Sequence, residues 1–384
     1  MNARPTLGLY LHIPFCRQKC IYCDFYSLAG NEGRMEDYTA ALCAHLAAEA
    51  PRAAGHTVDT VYFGGGTPSY LGAERLGRIL QTVFAHYTVA PEAEITFEAN
   101  PDSAGDVSAL TALRQAGFNR ISLGMQSAHD GELHTIGRIH TAEQTAAAVA
   151  AARAAGFDNI SLDLIYGLPE QTMERWRANL AAAAALSPEH LSCYGLKVEE
   201  GTPLFARRDA VHLPDDEAQA DMYLAAVEFL TERGYRQYEI SNFAKEGRES
   251  RHNLKYWMLG EYLGFGPGAH SDFGGERFAC SRSLGAYLAG VETGMPPLSE
   301  REVISPRQRE SEWLMLGLRT AAGLVPADYE RRFGRAFTPY EPFLRQCAQA
   351  GYAAFEQGRW HLTAEGFLVS NQIIGQLLDI LAER

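Results

Sequence analysis

Residues 7–27 read LGLYLHIPFCRQKCIYCDFYS, a run of alternating apolar and mixed residues that ends in Cys16, Cys20 and Cys23. The first part is strand-like, and the second packs three thiols into eight residues. The spacing C-x3-C-x2-C can bring three thiolates to one face of a loop and offers no fourth nearby. Structural zinc sites close with four ligands, and electron-transfer clusters with four cysteines. A centre held here by the loop alone keeps a position open for another molecule. The alternative is a zinc loop completed by a distant fourth ligand.

Working outward, strand-like runs alternate with helical ones as far as about residue 235. Strands are expected at Leu7–Ile13, Thr60–Gly64, Glu94–Glu98, Arg120–Met125, Asn159–Tyr166 and His190–Val198, with helices near 36–50, 73–87, 106–116, 141–155, 171–186 and 215–233. Six βα units predict a parallel sheet with helices packed against it. Glycine-bearing turns (AGFNR, AGFDN, RGYRQ) separate helix from next strand, as helix C-terminal capping requires. Strands such as VYFGG and ISLDLIYGL are apolar nearly throughout, which predicts burial on both faces. The expected class is α/β, a partial (β/α)6 TIM-like barrel spanning 1–240; six units fall short of the eight of a closed barrel. Periodicity alone leaves a flavodoxin-like doubly wound sheet open.

Residues 241–300 read as a loop-rich segment holding HNLKYW (252–257) and GFGPGAHS (264–271). Residues 301–384 read as a small α+β module, helix, two strands around EQGRW, then helix, in the manner of a winged helix.

The net charge is −13 over 384 residues, which argues against non-specific nucleic-acid binding and against a polybasic membrane anchor. No apolar run approaches the roughly 20 residues of a membrane-spanning helix, and no signal peptide opens the chain, so a cytoplasmic address is expected. Cys43, Cys193, Cys280 and Cys347 are scattered and read as small core hydrophobes.

Further candidates fall at strand ends, where barrel enzymes keep their sites. Gly64-Gly65-Gly66-Thr67 follows the second strand, and absent side chains let backbone approach a ligand. Tyr10 and Tyr22 flank the cysteine loop; Glu98, Gln126, Arg138 and Asp163 follow at or near later strand ends. Together they offer carboxylates, an amide and a guanidinium, groups suited to ribose hydroxyls, a base edge and a carboxylate.

Taken together, YLHIPFC, GGGTPSYL, FEANP, ISLGMQS, GR, DLIYGLP and the C-terminal module resemble the radical S-adenosylmethionine superfamily, in its oxygen-independent coproporphyrinogen III oxidase-like family. The resemblance implies a [4Fe–4S] cluster on Cys16, Cys20 and Cys23, and S-adenosylmethionine on the open iron. It implies that Tyr10, Tyr22, Gly65, Gly66, Thr67, Glu98, Gln126, Arg138 and Asp163 contact S-adenosylmethionine. HNLKYW resembles the mark of the family's heme-chaperone branch, which implies that His252, Asn253, Tyr256 and Trp257 contact heme. Histidine is a common axial ligand, and aromatic rings stack on porphyrin.

Family members that decarboxylate coproporphyrinogen carry a further cysteine two residues past the third cluster cysteine, where this chain has Phe25. The expected function is therefore heme binding and delivery to a membrane hemoprotein such as a respiratory enzyme, with an electron donor as a further partner and transient inner-membrane association. A coproporphyrinogen III oxidase and a radical methyltransferase are the alternatives.

Overall fold

The alternation of strand and helix closes into one curved sheet. The computed structural model describes residues 4–294 and 297–383. Six parallel strands, β1 (Thr6–Ile13), β2 (Thr57–Gly65), β3 (Val89–Ala99), β4 (Arg120–Gln126), β5 (Ile160–Tyr166) and β6 (His190–Gly195), stand side by side in sequence order. The main intervening helices are α1 (Met35–Glu49), α2 (Ala73–His86), α3 (Val107–Ala116), α4 (Ala142–Ala154) and α5 (Met173–Ala185), with α6 (Asp216–Thr231) after β6.

That order decides between the two arrangements the sequence left open. A doubly wound sheet reverses direction part-way and puts helices on both faces. A strictly sequential parallel order with right-handed crossovers puts every helix on one face, and the sheet curls around the other. The fold is the partial barrel.

The strands are buried on both faces, but the faces differ in kind. Leu7, Leu9, Leu11, Ile13, Val61, Phe63, Phe97, Ile121, Leu123, Leu162, Leu164 and Leu191 belong to the apolar core beneath the helices. Residues of opposite parity, among them Thr60, Thr96, Arg120, Ser122, Ser161, His190 and Ser192, are buried and polar. The apolar runs of the sequence concealed a two-residue period whose second face is the barrel interior.

Residues 241–300, expected to be loop-rich, hold more structure than their glycines suggest. After the edge strand β7 (Arg236–Gln237), β8 (Asn242–Ala244) pairs antiparallel with β6, and α7 (Arg251–Trp257) crosses the barrel floor. Strand β9 (Tyr262–Phe265) then pairs parallel with the far edge of β1, followed by the antiparallel strands β10 (His270–Phe273), β11 (Glu276–Cys280) and, after helix α8 (Leu284–Glu292), β12 (Leu298–Val303). Among the described residues these additions make a single 12-stranded sheet.

The C-terminal module contains α9 (Pro306–Gly317), α10 (Pro326–Phe333), α11 (Glu341–Gln349), a hairpin of β13 (Ala353–Glu356) and β14 (Arg359–Leu362), α12 (Ala364–Leu368) and α13 (Ser370–Ala382). Its own apolar core includes Leu314, Leu324, Tyr329, Trp360 and Leu377, and Tyr223 of α6 joins it. A main-chain clasp fastens module to barrel: Ile240 N–H donates to Arg319 O at 3.0 Å and Ala321 N–H to Tyr238 O at 2.9 Å. No helix among the described residues is long and apolar enough to cross a membrane.

Candidate functional site

The cysteine loop leaves β1 and is fixed from both sides by backbone. Ile21 N–H donates to Ile136 O at 3.2 Å, and Leu204 N–H donates to Ile21 O at 2.9 Å. From below, Gly66 N–H donates to Ile13 O and Thr67 N–H to Phe15 O, both at 2.8 Å. The approach is too close for a side chain: a Cβ on Gly66 would stand 2.8 Å from each of those carbonyl oxygens. Gly66→Ala should therefore push the cysteine loop off its seat and cost about 1–3 kcal/mol, readable as a lower urea midpoint.

Cys16, Cys20 and Cys23 carry free thiols and line one cavity of about 800 Å³. Among the described residues no three His, Cys, Asp or Glu side chains converge tightly enough to hold a single metal ion. Burial pushes the Cys16 and Cys23 thiols above their ordinary range, so without a metal they stay protonated. Free thiols on a backbone-fixed loop, opening on a cavity this size, fit an iron–sulfur cluster with room for a ligand.

A chain of hydrogen bonds runs around the cavity from Cys16 to Tyr22, the residue before the third cysteine. Thr67 Oγ1 donates to Cys16 Sγ at 3.5 Å, and Asn100 Nδ2 donates to Thr67 Oγ1 at 3.2 Å. Arg138 Nη1 then donates to Asn100 Oδ1 at 2.7 Å, and its Nη2 to the Tyr22 hydroxyl at 3.0 Å. Burial works against the Arg138 charge, but Tyr22 and Cys20 beside it hold the guanidinium protonated. Its Nε is buried without a hydrogen-bond partner among the described residues.

Gln126 enters the same wall by strain. It has φ 61°, in the left-handed region, just past a register shift at the end of β4. A Cβ on Gly124 would meet Gln126 Nε2 at 2.8 Å, Asn100 Oδ1 at 3.2 Å and Arg138 Nη2 at 3.3 Å, so this glycine lets three polar groups converge.

Glu98 accepts from the Tyr62 hydroxyl at 2.8 Å and from Gly65 N–H at 3.1 Å. Burial, with Asp163 adding to it against those bonds, pushes its carboxyl up to about 7. Asp163, also pushed up by burial, accepts from Ser122 Oγ at 3.2 Å. A carboxyl whose folded pKa is raised costs stability as pH climbs from the unfolded value near 4.3 to the folded one. Glu98→Gln should thus gain on the wild type between about pH 4.5 and 7. Paired denaturation curves across that range measure the difference; a constant gap would contradict it.

The structure brings together, on this one cavity, Cys16, Cys20, Cys23, Tyr22, Gly65, Gly66, Thr67, Glu98, Gln126, Arg138 and Asp163. It does not place Tyr10 there. Tyr10 lines a smaller cavity of about 280 Å³ with His12, Tyr26, His270 and Arg282, and its hydroxyl meets His12 Nδ1 at 3.0 Å. The sequence reading passed over Tyr62, Asn100, Arg120, Ser122 and Gly124, which line the main cavity. Asn100 sits inside FEANP, and Ser122 and Gly124 precede Gln126 at the same parity, so strand alternation was the usable signal.

The HNLKYW segment is α7, N-capped by Ser250. His252 is buried in the barrel floor: its Nδ1 meets Thr60 Oγ1 at 2.9 Å and its Nε2 the Tyr256 hydroxyl at 2.7 Å. The ring stacks on Tyr62 at 5.2 Å, and burial lowers its pKa to about 3. Lys255 beneath it pairs with Asp59 at 2.8 Å. Both imidazole nitrogens are engaged, so ligation of an iron through either breaks a bond. Asn253, Tyr256 and Trp257 face instead a cleft of about 590 Å³ between barrel and C-terminal module.

Known proteins align with this geometry. A family model described as the radical SAM superfamily matches residues 10–182, and the HemN C-terminal domain model matches residues 304–369. The heme chaperone HemW of Bacillus subtilis (strain 168) is 36% identical, over 97% of this chain and 99% of that protein. The heme chaperone HemW of Escherichia coli (strain K12) is also 36% identical, over 96% of this chain and 97% of that protein. Among solved structures, the coproporphyrinogen III oxidase HemN from Escherichia coli, a radical SAM enzyme, superposes with a TM-score of 0.84 at 26% identity, covering 97% of this chain and 89% of that one. With relatives this similar along nearly its whole length, and the cysteine loop and C-terminal module in the matched regions, the chain belongs to the radical S-adenosylmethionine superfamily, in the HemW family.

Proposed function

We propose that this protein binds heme and delivers it to a membrane hemoprotein such as a respiratory enzyme, while holding a [4Fe–4S] cluster on Cys16, Cys20 and Cys23 and S-adenosylmethionine in the main cavity. What carries the reading is likeness along nearly the whole length to proteins named heme chaperones, joined to three free thiols lining one large cavity. When bound, such a cluster supplies one electron and an iron with a free coordination position.

The chain's own residues supply the rest. Gly65 and Gly66 leave backbone bare beside the cysteine loop, and Thr67 fixes the Cys16 sulfur. Arg138, kept cationic, suits a ligand carboxylate, and Glu98 and Asp163 suit hydroxyl or amine donors. Asn253, Tyr256 and Trp257 are the accessible heme contacts of HNLKYW, and His252 contributes by fixing Tyr256 from below.

A second reading, oxidative decarboxylation of coproporphyrinogen III, is favoured by the superposition on HemN. Phe25 weighs against it: the position that holds a cysteine in the decarboxylases is here an apolar side chain, 69% exposed at the cavity mouth. The cluster-reconstituted protein should shift the Soret band of added heme and should leave coproporphyrinogen III unchanged in anaerobic product analysis. An unshifted Soret band sinks the heme reading, and decarboxylated product restores the second.

A further inference from the structure

Among the described residues lining the cleft between barrel and C-terminal module, one buried side-chain oxygen is left without a hydrogen-bond partner. Glu239 is buried, bridged through its backbone to Thr320 of the module, and lines the cleft. Its Oε2 accepts from Ser241 N–H at 3.3 Å, whereas its Oε1 is buried with no hydrogen-bond partner among the described residues. Leaving such an atom unmatched is costly, and more so if the group ionises. Burial pushes the carboxyl up to about 7, against the bonds from Ser241 and Asn242.

Among the described residues that line the cleft, the one cation is already engaged. Arg277 lines the same cleft but is held by Glu312 at 2.8 Å and by Asp272 at 3.1 Å. Arg309 reinforces that arrangement, meeting Asp272 and Glu312 at 2.8 and 3.1 Å. The charges at this seam are matched among themselves, and Glu239 stands outside their network.

The remaining walls suit a flat apolar molecule. Trp257 and Tyr256 come from α7, Met315 and Leu316 from α9, and Ile240 and Leu259 from the connecting segments. Trp257 is half-buried. The volume of about 590 Å³ lies within the about 300–1,000 Å³ of small-molecule sites. Tyr194, Ser241 and Asn253 line both this cleft and the cysteine cavity, so an occupant of one reaches the edge of the other.

An aromatic wall calls for a planar ring system, and a buried carboxyl with one oxygen unmatched calls for a positive centre within it. A metalloporphyrin combines the two. We propose that Glu239 is a heme-contact residue: the seam cleft seats the macrocycle against Trp257, and the Glu239 carboxylate answers the charge of the iron. The proposal rests on the heme-binding reading above and adds to it a seat and a residue outside HNLKYW.

Absorption titrations of the full-length protein with heme, and fluorescence titrations with iron-free protoporphyrin IX, test it in three variants whose folding is checked by thermal melts. Glu239→Gln keeps shape and loses charge, so heme affinity should fall about tenfold while the iron-free porphyrin binds as before. Trp257→Ala should weaken both ligands about tenfold, and Trp257→Phe, the gentler change, both by less. A wild type that binds heme while E239Q and the Trp257 variants bind it equally tightly overturns the seat. Equal loss of both porphyrins in E239Q overturns the role given to its charge. A wild type that leaves the Soret band unmoved removes the heme reading itself, and this seat with it.

Discussion

Replacing Cys20 with serine should leave the protein unable to retain an iron–sulfur cluster after anaerobic reconstitution. Ligation requires thiolate, and a serine hydroxyl neither ionises readily nor matches the softness of sulfide-bridged iron. Changing even an outer contact of a metal ligand weakens a site by about 10–100-fold, so losing one of three ligands should cost at least on the order of 100-fold. Iron and sulfide content with visible absorption measure it. The control is Cys193→Ser: Cys193 is buried beneath the helices, and burial pushes its thiol far above the ordinary range. That variant should keep its cluster at some loss of stability. If Cys20→Ser retains a full cluster, the loop is not the ligand set.

His252→Ala should destabilise the fold by about 2–4 kcal/mol, whatever becomes of heme. The substitution removes a buried ring stacked on Tyr62 and leaves Thr60 Oγ1 and the Tyr256 hydroxyl without their imidazole partner. Urea denaturation of the heme-free protein is the measurement. A residue serving only to ligate iron predicts no change there, so unaltered stability would return His252 to the role of ligand. Loss of heme binding in this variant therefore has to be read beside its stability, because Tyr256 and the neighbouring Trp257 share its helix.

Much of the barrel was legible because its signals are local. Strands β1, β4, β5 and β6 lie within a residue or a few of their expected bounds, and turn glycines marked the helix ends. Strands β2 and β3 run longer than expected, Thr57–Gly65 and Val89–Ala99, since pairing with neighbours extends a strand past its apolar centre. Strand β9 was missed altogether. Its four residues, YLGF, end in glycine-rich GFGPG and become a strand only because the open edge of β1 lies beside them.

The site divides in the same way. Glu98 and Gln126 were readable at strand ends and Thr67 just past one, Arg138 and Asp163 through the family resemblance, and all five share the cysteine cavity. Asn100 was not, although it joins Thr67 to Arg138, because an asparagine before proline reads as a turn residue until its partners are known. Tyr10 lies instead on the smaller cavity, where its hydroxyl meets His12 Nδ1 and His12 Nε2 in turn meets Tyr26 O, partners that strand position does not reveal.

By itself the sequence determined the three-thiol loop, the βα order and the family, all carried by residues close together along the chain. The tertiary structure alone decided that the helices lie on one face, that His252 is locked by Thr60 and Tyr256, and that Glu239 faces the seam with one oxygen unmatched. Spacing can bring thiols to one loop, but burial and hydrogen-bond partners depend on elements far apart in the chain. Thr60 and His252 stand 192 residues apart, and no local pattern records that they meet.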